Sequence, residues 1–575
     1  MLPPPMLAVG LRRGRPAVVW RGTPLGLRGW RDRRALKGTA LPWFTKTDDE
    51  PAGRGHVCWE RGRAAMISKI KFSAGSVIFV ATGAVLLLVP AVLSGRPFIY
   101  YDTWEFYSWG QDVLAAISNP WPAGQPFPIG RDLWASKVVS GLPATVDETQ
   151  FRLTLSTVGS RSAFYAVPLY ALRSLWVAAG VQTLLVSWTL WLAVHAFGWR
   201  PHGLAFVGTA VALMAGTTLP FASAFLMPDI FAGLAALAAG LLLFFPDRLS
   251  VSGRWGLSVL IAYAVVAHTS NVALVAAAIP IGAGLIGLST SMRVGMHRTA
   301  PVCGALLAGV VVLALGAQGL KTVFGRPVQN PPFLLARVIV DGPGLAYLQE
   351  HCTKTAYVSC ELTNAHIKRV ESFLWGFVGT VPFSPRFDPD RRERFYAEQW
   401  EIVAAAIGRD PLGQLAASLR NAATQLASFR VGPDMIMALV YTLRHGTRQG
   451  SVTAAITPNV EVCQANGGQR CYRVFRGRVL KLLHTWHYAV VACSGFLLAY
   501  RLVPALLFRE RRRVLEPEQA FALFAGLLVL ANAVLCGVLS NPSHRYQARI
   551  VWLIPLAALV LEGRCGFLRS LRKQP

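Results

Sequence analysis

Two short stretches, more than four hundred positions apart, hold residue types that could carry out chemistry together. The first is Tyr100-Tyr-Asp-Thr-Trp-Glu-Phe-Tyr-Ser-Trp109, which directly follows an apolar run from about 72 to 93. An acid at Asp102, set among Tyr101, Trp104, Phe106, Tyr107 and Trp109 where the chain leaves an apolar segment, is expected to be partly desolvated. Desolvation makes a carboxylate a better base. Glu105 supplies a second carboxylate three residues on. The competing reading is an interfacial aromatic belt, with Asp102 only capping a helix that starts near Thr103. The second stretch is Ser543-His-Arg-Tyr-Gln-Ala-Arg549. Arg545 and Arg549 are four apart, on one side of a helix start. Guanidinium forks grip two oxygens at once, which suits a phosphate or pyrophosphate, and His544 stands beside them. The competing reading is a structural bond to a neighbouring domain.

Further polar residues lie at the ends of apolar runs. Arg161 precedes the second, Pro228-Asp229 opens a later one, and His268 with Asn271 interrupts the run 255–288. Asp229 and His268 read either as substrate contacts or as a helix start and a tight turn.

The elements that must position these residues are membrane helices. Over half of the 575 residues are hydrophobic (53%) and only 15% are charged, too apolar for an ordinary soluble chain. The net charge of +28 would suggest nucleic acid in a soluble protein. Here most of the excess falls in loops and tails, so no nucleic-acid partner is expected. Residues 1–65 carry 13 Lys and Arg against 5 Asp and Glu, with scattered Pro and Gly. They read as a disordered basic tail that could lean on anionic lipid, or as the product of a start assigned too early, with Met66 opening the folded protein.

Runs long enough to span a bilayer occur near 72–94, 172–197, 204–221, 301–320, 487–508 and 520–539, with shorter or broken ones near 229–245, 255–288 and 550–562, of which 255–288 is too long for one helix. Splitting 255–288 at His268 gives about ten spans in an all-α polytopic membrane protein. A cytoplasmic N-terminus puts Arg200, Arg248, Arg254, Arg293, Arg509 to Arg513 and the tail Arg564 to Lys573 inside, in line with the positive-inside rule. Both termini are then cytoplasmic, in the inner (plasma) membrane. The expected organisation is the tail 1–65, an N-terminal transmembrane region 66–320 with a first outer loop 95–171, a mostly helical extracytoplasmic domain 321–486, and a C-terminal transmembrane region with basic tail 487–575.

Cys352, Cys360, Cys463 and Cys471 fall in the large outer segment as two pairs, each with seven intervening residues. Paired cysteines outside fit disulfides of an oxidising compartment, with connectivity open. Zinc is the rival, but this spacing is not a usual one for its ligands. Within the same segment Asp410-Pro411 reads as a cap with proline at the first helical position. Leu412, Leu415, Leu419 and Leu426 then recur at helical spacing. Asp341-Gly-Pro-Gly looks like another cap and short helix. No nucleophile elbow, phosphate-binding loop, zinc-protease pattern or dinucleotide glycine pattern occurs there.

With this topology Asp102, Glu105, Arg161, Asp229, His268, Asn271, His544, Arg545 and Arg549 all fall on one face of the membrane. That arrangement, with Tyr101-Asp-Thr-Trp-Glu105 after the first span and His544-Arg-Tyr546 at the last, resembles the GT-C class of integral membrane glycosyltransferases. Protein mannosyltransferases and bacterial lipid A aminoarabinose transferases are members. In several of these families the acids are an adjacent Asp-Glu or Asp-Asp pair, whereas here two residues separate them. The resemblance implies an enzyme that takes a sugar from a polyprenyl-phosphate-linked donor reached from membrane lipid and moves it to an envelope acceptor. Asp102, and Glu105 if it shares the chemistry, would deprotonate the acceptor. Arg545, Arg549 and His544 would meet the lipid phosphate, Tyr101 and Trp104 would stack on the sugar, and Arg161, Asp229 and His268 would contact substrate. Nothing in the spacing demands a metal, which leaves a divalent cation open. Two other classes compete: a transporter or flippase of lipid-linked glycans, and a non-catalytic envelope-assembly scaffold. Coupled transporters usually hold charges at mid-span and show repeats, and neither is visible.

Overall fold

The computed structural model describes residues 74–118, 161–288, 297–324, 332–363, 369–375, 389–432, 477–507 and 515–565. All belong to one compact unit, Ile67–Pro575. In chain order its α-helices are α1 (Ala74–Ser94), α2 (Tyr101–Ser118), α3 (Ala163–Ala171), α4 (Leu175–Phe197), α5 (His202–Gly216), α6 (Leu219–Ser223), α7 (Ile230–Phe244), α8 (Val251–Ala267), α9 (Ser270–Gly287) and α10 (Ala300–Phe324). A helical module follows, with α11 (Phe333–Asp341), α12 (Pro343–His351), α13 (Val370–Trp375), α14 (Pro389–Arg409) and α15 (Pro411–Leu426). The chain then returns to the bundle in α16 (Gly477–Leu507), α17 (Pro517–Leu539), α18 (His544–Ala548) and α19 (Leu553–Cys565). Among the described residues there is no strand, only a parallel bridge between Phe98 and Phe225.

Seven helical segments are long and apolar enough to cross a membrane: Gly75–Ser94, Leu175–Phe197, Ser270–Gly287, His297–Thr322, Gly477–Pro504, Pro517–Leu539 and His544–Gly563. Three more, α5, α7 and α8, are apolar but shorter. The long run 255–288 breaks at His268, as its polar residues predict, and the run 204–221 stops early at Gly216, after which α6 makes a separate turn. Spans at the rim of the bundle keep large apolar side chains on the surface, among them Val85, Leu315, Phe496 and Leu530. In water that exposure would be costly; against lipid it is the favourable arrangement. The centre is α7, in which every residue is buried. A helix apolar all round is stable only when it is enclosed on all sides.

The module has its own core of Leu335, Val338, Ile339, Leu348, Phe373, Phe395, Ile402 and Ala406. A Cys352–Cys360 disulfide closes the turn after α12, a connectivity that the sequence left open. Cys463 and Cys471 lie outside the described residues. Asp341, at the end of α11, receives Arg337, the Gln414 amide at 2.9 Å and the Asn421 amide at 3.0 Å. Arg337 also donates to Ser540 O at 3.3 Å, so one buried polar knot joins module to bundle.

α15 begins as its sequence predicts: Asp410 accepts the Gly413 N–H at 2.9 Å, and Pro411 takes the first helical position. Its packing is the reverse of an ordinary amphipathic helix. Gln414, Ala417 and Gln425 are buried, while Leu412, Leu415 and Leu419 are 76%, 54% and 63% exposed.

Candidate functional site: an acid held between two arginines

The first turn of α2 is fixed by main-chain pairing that the sequence does not announce. Phe98 N–H donates to Ala224 O at 3.0 Å and Leu226 N–H to Phe98 O at 2.9 Å. Thr103 Oγ1 accepts the Tyr100 N–H and donates to Leu226 O at 3.0 Å. The segment 223–226 is held in turn by Gln182, whose amide donates to Ser223 O and Phe225 O and whose Oε1 accepts the Tyr165 hydroxyl. The helix start is thus served by Thr103, and the Asp102 side chain is left for other partners.

Those partners are two arginines from distant parts of the chain. Arg161 Nη2 lies 2.6 Å from Asp102 Oδ1, and Arg545 Nη1 lies 3.2 Å from Oδ2. Arg161 is placed by Ser162, which caps α3 and donates to Val266 O at the α8–α9 turn. The Arg545 guanidinium sits over the Tyr100 ring at 4.4 Å and the Tyr546 ring at 4.9 Å, cation–π geometry in both cases. One helical turn on, Arg549 Nη1 meets Asp229 Oδ1 at 3.3 Å. Its Nη2 donates to Asn532 Oδ1 at 3.0 Å and also lies 3.4 Å from Ser270 Oγ.

The two arginines are held by the backbone that carries them. Asn532, the one amide of α17 beyond its first turn, donates to Tyr546 O at 2.7 Å and Gln547 Oε1 at 2.9 Å. Gln547 donates to Val529 O, and Thr218 Oγ1 donates to Ala548 O at 2.6 Å. Gly233 lets α7 come up against this segment, because a Cβ there would stand 2.4 Å from Arg549 O. Asp229 makes no cap bond for α7, so a helix-start role does not account for its side chain.

His268 and Asn271 do serve the turn. His268 Nδ1 accepts the Ser270 N–H at 3.2 Å, and Asn271 donates to Ala264 O at 2.8 Å. Burial and the nearby Arg549, Arg545 and Arg161 push the His268 pKa down to about 3, so the imidazole is neutral here. His544 goes elsewhere: its Nδ1 accepts the Arg430 N–H at 3.1 Å, beyond the end of α15, on the side of His484. Tyr101, Trp104 and Glu105 belong to α2, but their side chains lie outside the described residues.

The structure therefore brings Asp102, Arg161, Asp229, His268, Arg545 and Arg549 into one cluster at one end of the bundle. Among the described side chains three guanidiniums face two carboxylates, which leaves a formal excess of one positive charge with the imidazole neutral. Such a cluster attracts an anion. Among the described residues no group of three His, Cys, Asp or Glu side chains is placed to hold a metal ion. Both Asp102 oxygens accept from arginine, and Asp229 is buried on Arg549. Sequence reasoning missed Tyr100 as a platform for Arg545, and missed Ser270, Asn532 and Gln547. For Asn532 a signal existed, an amide well inside a 23-residue apolar helix.

The chain matches no known protein family, no curated protein and no solved structure.

Proposed function

We propose that this protein is a glycosyltransferase of GT-C type. It would move a sugar from a polyprenyl-phosphate-linked donor to an envelope acceptor on the extracytoplasmic side of the inner membrane. In this reading α5, α7 and α8 complete ten spans, and the module stands on the same side as the cluster. The observation that carries the proposal is the ion pair between Asp102 and Arg545, 443 residues apart in the chain and 3.2 Å apart in space. Acid and guanidinium share one site, as base and phosphate holder must.

The geometry adds a condition to the chemistry. Arg161 and Arg545 each hold one oxygen of Asp102 through a charge-assisted bond, so the carboxylate is engaged before an acceptor hydroxyl arrives. A donor phosphate competes for the same guanidiniums, and charge-assisted bonds to phosphate are at least as strong as those to carboxylate. As the arginines turn to the phosphate, the carboxylate is released to take the acceptor hydroxyl proton. The acceptor oxygen then bonds to the anomeric carbon, the bond from that carbon to the lipid phosphate breaks, and the phosphate leaves with the electron pair. The guanidiniums meet the negative charge as it forms. No step requires a metal.

A transporter is favoured less, since the charges gather at one end of the bundle and leave the buried centre, α7, without any. The test is sugar transfer by purified protein in lipid vesicles, supplied with a crude pool of polyprenyl-linked donors and envelope acceptors. The wild type should transfer sugar and release polyprenyl phosphate. Asp102→Asn should do neither above background, and transfer at the wild-type rate would remove Asp102 as the base.

A further inference from the structure

The leucine face of α15 has no partner among the described residues, yet α15 is not loose. Its opposite face is fixed to the bundle. Gly537 of α17 meets the Asn421 and Ala422 backbone so closely that a Cβ would come within 2.8 Å. Gln425 makes a two-way pair with Ser543, donating to its carbonyl at 2.9 Å and accepting its N–H at 2.8 Å. Leu412, Leu415, Leu419 and Leu426 are thereby held outward in one row, and α17, which α15 packs against, exposes Leu530 and Val534. Between Asp410 and Arg430 the only charged residue is Arg420. The preceding α14 carries five charges in Asp390-Arg-Arg-Glu-Arg394 alone, so the change in character at Asp410 is abrupt.

The depth of this face can be read from α16. The hydroxyl of Tyr488 donates to Ala427 O at the end of α15, and its ring stacks on Phe429 at 4.1 Å. Exposed Trp486 stands two residues before it. From Tyr488 to Leu507 the helix rises about 29 Å at 1.5 Å per residue, close to the roughly 30 Å of a hydrocarbon core. The basic run Arg509 to Arg513 follows at once. Trp486 and Tyr488 thus stand where an aromatic belt marks the lipid boundary, and the end of α15 is bonded to that belt.

We propose that the leucine face of α15 lies in the acyl region of the leaflet on the side of the acid–guanidinium cluster. The occupant is membrane lipid: the face continues the exposed apolar surface of a span, at the belt's depth, with a composition suited to an interfacial helix. Arg420 reaches from it toward headgroup phosphates. Because Gln425 holds Ser543, two residues before Arg545, a helix seated in lipid fixes the height of the guanidiniums against the membrane surface.

The experiment places trifluoromethyl-phenylalanine singly at Leu415, Leu419, Leu527 and Glu350 of the full chain, in nanodiscs of phosphatidylethanolamine and phosphatidylglycerol. Fluorine relaxation by dissolved oxygen is compared with relaxation by a water-soluble nickel chelate. Gel filtration confirms that each variant is folded. Leu527, on the exposed face of α17, is the lipid control, and exposed Glu350 of the module is the water control. At 415 and 419 the oxygen effect is expected to exceed the nickel effect several-fold, as at 527. Nickel relaxation at the level of position 350 would overturn the proposal in favour of a water-exposed face. Weak relaxation by both would overturn it in favour of a protein cover, such as a second copy. If position 527 itself reads as water-exposed, the membrane reading of the bundle fails, and that outcome is distinct from a failure at α15 alone.

Discussion

Two acid–arginine pairs stand one helical turn apart on the same segment, and they are built differently. Asp229 and Arg549 are sealed, each side chain 1% exposed, with Asn532 and Ser270 around the guanidinium. Asp102 and Arg545 keep 12% and 11%, and Asp102 is shared with Arg161 at 16%. A sealed pair cannot exchange partners, because separating it would leave a bare charge in a medium that cannot solvate it. A pair at the edge of the protein, with a second guanidinium alongside, can trade one partner for another. The inner pair is a strut, and the outer trio is the part able to do chemistry.

The comparison can be broken most directly at the acids. Asp102→Asn is expected to lower transfer by about 10²–10⁴-fold, the usual share of a general base, while its thermal unfolding midpoint in detergent stays near that of the wild type. A collapse of that midpoint would make Asp102 a strut as well. Asp229→Asn is expected to do the opposite kind of damage. It leaves Arg549 buried without a counter-charge, at about 3–5 kcal/mol, and should appear as poor yield and a much lower midpoint. Normal stability in that variant would show that Arg549 has another way to be satisfied.

Smaller effects sharpen the contrast. Asn532→Leu removes an acceptor from Arg549 and donors from Tyr546 O and Gln547, for about 1–3 kcal/mol of stability. It should also loosen Arg545, so transfer measured below saturation in donor should fall more than it does at saturation. The smallest effect concerns pH. A folded-state pKa of about 3 for His268 lies well below the unfolded value near 6.5. Stability from this group is therefore complete above pH 6.5 and declines as pH falls toward 3. Between pH 7 and 5 the decline is on the order of 2 kcal/mol. The unfolding midpoint of His268→Gln should drift less over that range, and an equal drift in both proteins would mean that other groups set the acid sensitivity.

Much of the site was legible because it depends on residue type and order. Asp102 after the first apolar run, Arg545 and Arg549 before the last, and the break at His268 could all be read directly. Their roles in the cluster could not. Nothing in the local sequence says that Thr103, not Asp102, serves the start of α2, or that Tyr100 carries Arg545. His544 shows the limit from the other side: it adjoins Arg545 in sequence and points to the backbone of Arg430. The leucines of α15 marked the right helix and left its packing open, since periodicity marks an apolar face without saying whether protein or lipid will cover it.

By itself the sequence determined the helices, from hydropathy, caps and proline positions, because these depend on neighbours a few residues away. It also determined which acids and bases stand at the ends of apolar runs. Only the tertiary structure decided which of them pair, which pair is sealed and which is left open. Ion pairing acts over a few ångströms in a medium of low polarity, and here those ångströms join residues separated by hundreds of positions in the chain.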